Sequence, residues 1–173
     1  MSPRVPSSAT TTPREAFCRH FSMNASCSKS IIGRYDSHVP PKITGIAHVE
    51  LSVTDADAST AWYCRVLGAK EVWRGRNDDG GYRACAIREP QTGTVLAFTQ
   101  HDRIEGGPFT PLRTGLDHLS FAVADEAALR EWSRYLDELG VEHDPIDDRG
   151  AVVSMTLKDP DGIALEFYHL RPR

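Results

Sequence analysis

Two histidines and two glutamates stand where alternation along an extended chain would aim them at shared surfaces. His48 and Glu50 are two positions apart in HVELSV, and His118 and Ser120 are two apart in HLSFAV, so each pair shares one face of a strand. Glu166 and Tyr168 share a face in ALEFYHL. A lone histidine on a strand reads as an interior hydrogen-bonded residue, but an unpaired carboxylate in so apolar a run is strongly disfavoured. If the two histidine strands are related by a repeat, His48, His118 and Glu166 converge. Two imidazoles and a carboxylate hold one divalent cation with open positions, a set that suits Fe, Zn, Mn, Ni or Mg. Glu50, about 7 Å along the strand from His48, is then placed to move a proton on a substrate while the metal acts as a Lewis acid. The other reading of Glu50 is an ion pair with Arg83 or Arg88, or a partner that orients a ligand histidine.

Phe98, Tyr168, Ser120 and, at a strand end, His101 are the candidates for touching substrate. Trp73, Tyr82, Phe109 and Phe121 add aromatic surface that serves equally as core. Arg74, Arg76 and Arg83 flank the NDDGG turn and read as a solvated hairpin.

The elements that position these residues come from an internal repeat. GIAHVELSVTDADASTAWYCRVLGA and GLDHLSFAVADEAALREWSRYLDELGV align at an offset of 70, pairing Gly45 with Gly115, His48 with His118, Asp55 with Asp125 and Trp62 with Trp132. The endings align as well, Glu89-Pro90 with Asp159-Pro160 and, after a one-residue slip, Leu96-Ala97-Phe98 with Leu165-Glu166-Phe167. Such a period marks a duplicated domain. Each copy opens with an alternating strand (Ile46, Val49, Leu51, Val53; Leu116, Leu119, Phe121, Val123). Asp55 or Asp125 then caps a helix. The second helix carries a clear stripe of Leu129, Trp132, Tyr135, Leu136 and Leu139. Gly68 and Gly140 stand where a left-handed cap is wanted. Turns at 77–81, 90–93 and 160–162 break the remainder into strands. The expectation is α+β: two βαβββ modules, 43–101 and 115–170, forming a pseudo-symmetric cupped mixed sheet with helices on its outer face and a loop between them.

Composition narrows the classes. The chain has 173 residues and a net charge of -4, enough for one domain with a real core. No apolar run reaches the 18 residues a membrane span requires. A mildly acidic chain lacks the basic face a nucleic-acid binder needs. The charge is uneven: residues 1–42 hold six Lys/Arg against two Asp/Glu, and residues 43–173 hold fourteen against twenty-two. The Ser/Thr/Pro-rich head is expected to be a disordered leader, or the result of a start placed ahead of Met23; its arginines also fit an organellar transit peptide. The expected location is the cytoplasm, or an organelle on the transit-peptide reading. Cys18, Cys27, Cys64 and Cys85 form no CxxC pair, and the last two are expected to be core thiols in a reducing compartment.

The two modules, the GIAHVELSV and GLDHLSFAV strands and the DPDGIALEF ending resemble the vicinal oxygen chelate superfamily over nearly all of residues 43–170. That superfamily includes glyoxalase I, fosfomycin-modifying enzymes, methylmalonyl-CoA epimerase, extradiol dioxygenases and bleomycin-binding proteins. The resemblance implies a metal between two cups and a small-molecule substrate chelated through oxygen, and, since chains of this superfamily commonly pair, a homodimer. The branch motifs fit unevenly. Ala97 stands where glyoxalase I and the epimerase place a fourth ligand, with Thr99 and His101 on the same parity. Thr156 occupies the extradiol tyrosine position, and Asp147, Asp148 and Arg149 stand where the extradiol histidine belongs. Glu50 replaces the threonine of the fosfomycin enzymes. The implied function is a metal-dependent enzyme acting on an oxygen-rich metabolite or antibiotic by lyase, isomerase or transferase chemistry. The alternatives are a non-catalytic sequestering protein and an Fe(II)-dependent dioxygenase.

Overall fold

The computed structural model describes residues 40–105 and 107–172. Most of the basic head, with Cys18, Cys27 and Met23, lies outside the described residues. In chain order the elements are β1 Val49–Ser52, α1 Ala56–Leu67, β2 Lys70–Asn77, β3 Tyr82–Arg88 and β4 Val95–His101, then β5 Leu119–Ala122, α2 Glu126–Leu139, β6 Asp147–Asp148, β7 Val152–Lys158 and β8 Ala164–Leu170. This is βαβββ twice, with β6 reduced to two residues. Strand order is β1-β4-β3-β2 in one sheet and β5-β8-β7-β6 in the other. β1–β4 and β5–β8 are parallel pairs and the remaining pairs are antiparallel.

Local chemistry builds both helices as expected. Asp55 accepts the amides of Asp57 and Ala58, and Asp125 accepts that of Ala128, satisfying donors that a helix start leaves orphaned. Gly68 and Gly140 end the helices at φ 62° and 66°, where a Cβ would be strained. The first strands are shorter than the alternation suggests. Ile46 is 85% exposed, and His48 and His118 sit one residue ahead of β1 and β5.

Leu51, Val53, Tyr63, Phe98, Leu129, Leu136, Met155 and Phe167 belong to one core that spans both modules. Burial of each such side chain contributes about 1.5–3 kcal/mol. Phe98, expected to touch substrate, is fully buried and packs on Tyr63 with ring centroids 4.6 Å apart. It lies one residue from Ala97, and that single step turns it to the helix side of the sheet.

The modules join unequally at their two equivalent junctions. At one, the Tyr63 hydroxyl donates to Asp159 Oδ2 at 3.1 Å, while Asp159 Oδ1 takes the amides of Asp161 and Ile163 at 2.9 and 2.8 Å. The Thr54 amide donates to Asp161 at 3.1 Å, and its hydroxyl donates to the same carboxylate. Burial pushes the Asp159 carboxyl above its ordinary range and holds the Tyr63 phenol as a donor. At the offset of 70, Thr54 and Tyr63 become Ala124 and Ser133, which have no such hydroxyl-bearing reach. A cleft of about 1000 Å³ opens there, between Glu89, Gln91 and Thr92 on one side and Ala124, Glu131 and Trp132 on the other. The helix C-termini add a second tie, Arg65 donating to the Leu139 carbonyl at 3.1 Å and the Tyr135 hydroxyl to the Arg65 carbonyl at 3.0 Å.

Candidate functional site

Each sheet has a helix side, buried in the shared core, and an opposite side on which the chemically active residues stand. In the second module one cross-strand rung runs Ser120–Glu166–Thr156. The Ser120 hydroxyl donates to Glu166 Oε2 at 2.7 Å, and His118 Nε2 lies 3.6 Å from the same oxygen. On its other side the His118 ring meets Asp117 through Nδ1 at 2.7 Å, a contact that fixes ring orientation and leaves Nε2 toward Glu166. Tyr168 lies two residues beyond Glu166 on the same face of β8.

In the first module the corresponding rung runs Glu50–Ala97–Ala86–Trp73. Glu50 meets neither Arg83 nor Arg88. The Thr99 hydroxyl donates to Glu50 Oε1, and His48 Nε2 lies 3.9 Å from Oε2. The arginines considered for Glu50 or for an anionic ligand are largely committed elsewhere: Arg83 to Asp55, Asp57 and Gln100, Arg74 to Glu71 and Asp57, and Arg76 to Asp78 and Asp102. His101, at the end of β4, is exposed and lies against Tyr82 at 5.9 Å between centroids.

The donor chemistry of His118 and Glu166 fits a divalent cation. Nitrogen and oxygen 3.6 Å apart can both reach an ion at the usual 2.0–2.2 Å or so. The convergence expected of His48, His118 and Glu166 is not met within one chain. Among the described residues no three His, Cys, Asp or Glu side chains gather into a metal-holding group. The structure pairs His48 with Glu50 and His118 with Glu166 instead.

Sequence reasoning did not single out two features of these faces. Thr99, noted there only for its parity with Ala97, fixes the Glu50 carboxylate. Trp73 is turned onto the face of Ala86 and Ala97 by a register shift in β2 between Glu71 and Trp73, which no periodicity signals.

Comparison with known proteins agrees with this architecture. The profile described as Glyoxalase/Bleomycin resistance protein/Dioxygenase superfamily matches residues 45–167. A glyoxylase/bleomycin resistance protein/dioxygenase domain from Frankia sp. EAN1pec superposes with a TM-score of 0.67 at 32% identity, covering 75% of this chain and 100% of that one. A curated relative from Bacillus subtilis (strain 168), named "Putative ring-cleaving dioxygenase MhqA", is 28% identical over 126 residues. That match takes in 70% of this chain and 39% of the relative, so the chain spans about two fifths of that protein's length. The fosfomycin resistance protein FosX from Listeria monocytogenes, solved with Mn(II) and 1S,2S-dihydroxypropylphosphonic acid, shares the fold with a TM-score of 0.55 at 20% identity, covering 73% of this chain and 93% of FosX. The chain belongs to the glyoxalase/bleomycin resistance/dioxygenase superfamily, whose fold is that of the vicinal oxygen chelate proteins. No helix among the described residues is long and apolar enough to cross a membrane.

Proposed function

With that membership as premise, we propose that the protein is a metal-dependent enzyme acting on a small oxygen-rich molecule, with His48, His118 and Glu166 as metal ligands and Glu50 as the acid–base group. The observation that carries the reading is the approach of His118 Nε2 to Glu166 Oε2 at 3.6 Å, with Ser120 holding the same carboxylate. A divalent cation bound there supplies Lewis-acid stabilisation of an oxyanion. Glu50 takes or returns the substrate proton; Thr99 fixes its Oε1, which leaves Oε2 as the basic atom. Tyr168 and His101 lie on the same faces and contact the substrate's periphery.

The working unit is a homodimer in the cytoplasm. His48 stays with Glu50 inside one chain, and a two-fold pairing of copies, self-complementary by symmetry, brings His48 of one copy to His118 and Glu166 of another. Metal analysis of freshly purified protein tests the reading. The expected result is about one divalent ion per chain, lost on His118→Ala. Protein that binds no Mn(II), Fe(II), Ni(II) or Zn(II) overturns it. Light scattering that finds only monomers with a full complement of metal overturns the dimer.

The relative named for ring cleavage favours a second reading, oxygen-dependent chemistry on Fe(II) with the same triad. Iron as the tightly held metal supports it. Thr156 on the Glu166 rung supplies only a hydroxyl for proton transfer.

A further inference from the structure

The loop that leaves α2 gathers negative charge at the end of the helix least suited to it. Residues 137–144, DELGVEHD, hold four acids and one histidine and no lysine or arginine. Free carbonyls already make a helix C-terminus negative, so acids there are unfavourable and a cation is favoured. The first module is built the other way. Counting back from the glycine that ends each helix, Arg65 stands in α1 where Asp137 stands in α2. Arg65 also reaches across to α2, but its guanidinium is spent on the Leu139 carbonyl.

His143 lies inside this group, and its ring is set in one tautomer. Its side chain is 10% exposed. Nδ1 lies 2.8 Å from the Asp144 carbonyl, which can only accept, so Nδ1 carries the hydrogen and the neutral ring presents a lone pair at Nε2. Nε2 is buried and has no hydrogen-bond partner, although Asp137 Oδ1 lies 3.4 Å away. In the neutral ring two acceptor atoms therefore face each other with nothing between them. The backbone holds the ring in place: the Asp144 amide donates to the Thr156 carbonyl at 2.7 Å, and His143 bridges to Leu157. Leu157 belongs to the core, so this ring lies on the opposite side of the sheet from Thr156 and Glu166.

We propose that His143 and Asp137 form a second cation site, for a borderline divalent ion of which Zn(II) is the type. Nitrogen and oxygen ligands at the usual distances from a tetrahedral ion stand about 3.4 Å apart, which is the separation of these two atoms. The bond from Nδ1 to a backbone carbonyl is the orienting contact that a ligand histidine ordinarily makes. Asp137 is 71% exposed, so its carboxylate can swing to admit the ion, and water completes the coordination. Hard ions such as Mg(II) take oxygen ligands and gain nothing from the imidazole. Among the described residues no third His, Cys, Asp or Glu completes the group, and two protein ligands hold an ion exchangeably. The ion ties the end of α2 to the loop beside β7 only while it is supplied, stabilising the fold by mass action. Neither residue belongs to the His118–Glu166 site, and the two sites stand or fall separately.

The test is a titration of the full chain with Zn(II) at about pH 7.5, above the ordinary histidine range, followed by NMR of the His143 ring nitrogens, assigned with His143→Gln. The expected result is a displaced Nε2 resonance that saturates with Zn(II) while Nδ1 stays protonated. Zn(II) is also expected to raise the melting temperature of His118→Ala but not that of His118→Ala/Asp137→Asn, the second change lying at an exposed position. An Nε2 resonance that Zn(II) leaves unmoved overturns the proposal. So does an equal response to Mg(II), which would reduce the site to general attraction by the acids, and so does an undiminished melting response in the Asp137→Asn variant. Should His143→Gln fail to fold, the melting comparison alone decides.

Discussion

Along the rung that begins at Glu50, the first module sets two alanines and an indole; along the rung that begins at Ser120, the second sets a carboxylate and a threonine. The element order beneath is the same, down to the aspartate that starts each helix and the glycine that ends it. The two modules also differ at their turns. Glu89 bonds its own turn through the amides of Gln91 and Thr92, whereas Asp159 bonds its turn and also reaches across to Tyr63 in the other module. Strand alternation explains how this was possible. Positions facing away from the core can change from chelating to apolar without disturbing residues such as Phe98 or Phe167 on the opposite face. Duplication supplies two platforms, and the divergence along these rungs lies on the side of each sheet that faces away from the core.

The sharpest way to break the contrast between junctions is Tyr63→Ala, which empties a fully buried site and removes the hydroxyl donor from Asp159 Oδ2. The expected loss is about 3–5 kcal/mol, read from guanidinium midpoints. Ser133→Ala, at the equivalent place, should stay within about 0.5 kcal/mol. Similar losses at the two positions would show that the junctions are not different in kind.

The contrast between faces is probed by Gly75→Ala. The new Cβ meets the Trp73 ring at 2.6 Å, so a loss of about 1–3 kcal/mol is expected, together with a change in tryptophan emission. An unchanged melting temperature would mean that the indole is not confined.

The smallest effect concerns pH. Burial raises the Asp159 carboxyl above its ordinary 3.8, so the folded chain holds that proton more tightly than the unfolded one. Wild-type stability relative to Asp159→Asn should therefore fall as pH rises from about 4 and level off once the raised value is passed. Glu89 has the opposite sign: its slight loss of hydration is outweighed by bonds from Thr92 and the Gln91 amide, and its carboxyl lies below the ordinary 4.5. Relative to Glu89→Gln, stability should be complete above that value and decline as pH drops below it. Parallel slopes for the two variants, from denaturation between pH 3 and 8, would remove the distinction.

Much of this was legible in the chain because it is local. The offset of 70, the Asp55 and Asp125 caps and the Gly68 and Gly140 endings each need only a few neighbouring residues, and the structure has them all. The pairing of His118 with Glu166 also follows from alternation and repeat alignment. What depended on placement between modules was not legible. Tyr63 meets Asp159 across 96 positions, and no pattern in either segment announces the other. His48 stayed apart from His118 because pseudo-symmetry of the sequence does not specify how two modules are set against each other. Phe98, expected to touch substrate, lies in the core instead, because one step along a strand from Ala97 reverses the face. The register shift before Trp73 breaks the periodicity from which faces are read.

The unequal junctions also have a mechanical consequence. Two bodies that share a core and are fastened at Tyr63–Asp159 and at the helix ends, with a cleft of about 1000 Å³ on the remaining side, are least restrained toward rotation about the line joining the fasteners. Every coordinate carries the same thermal energy, so the softest moves furthest, and opening the cleft breaks neither the Tyr63 hydrogen bond nor any strand pairing. The width of that cleft, between the Glu89 turn and Trp132, is thus a soft distance hinged on a phenol and a carboxylate at the other junction.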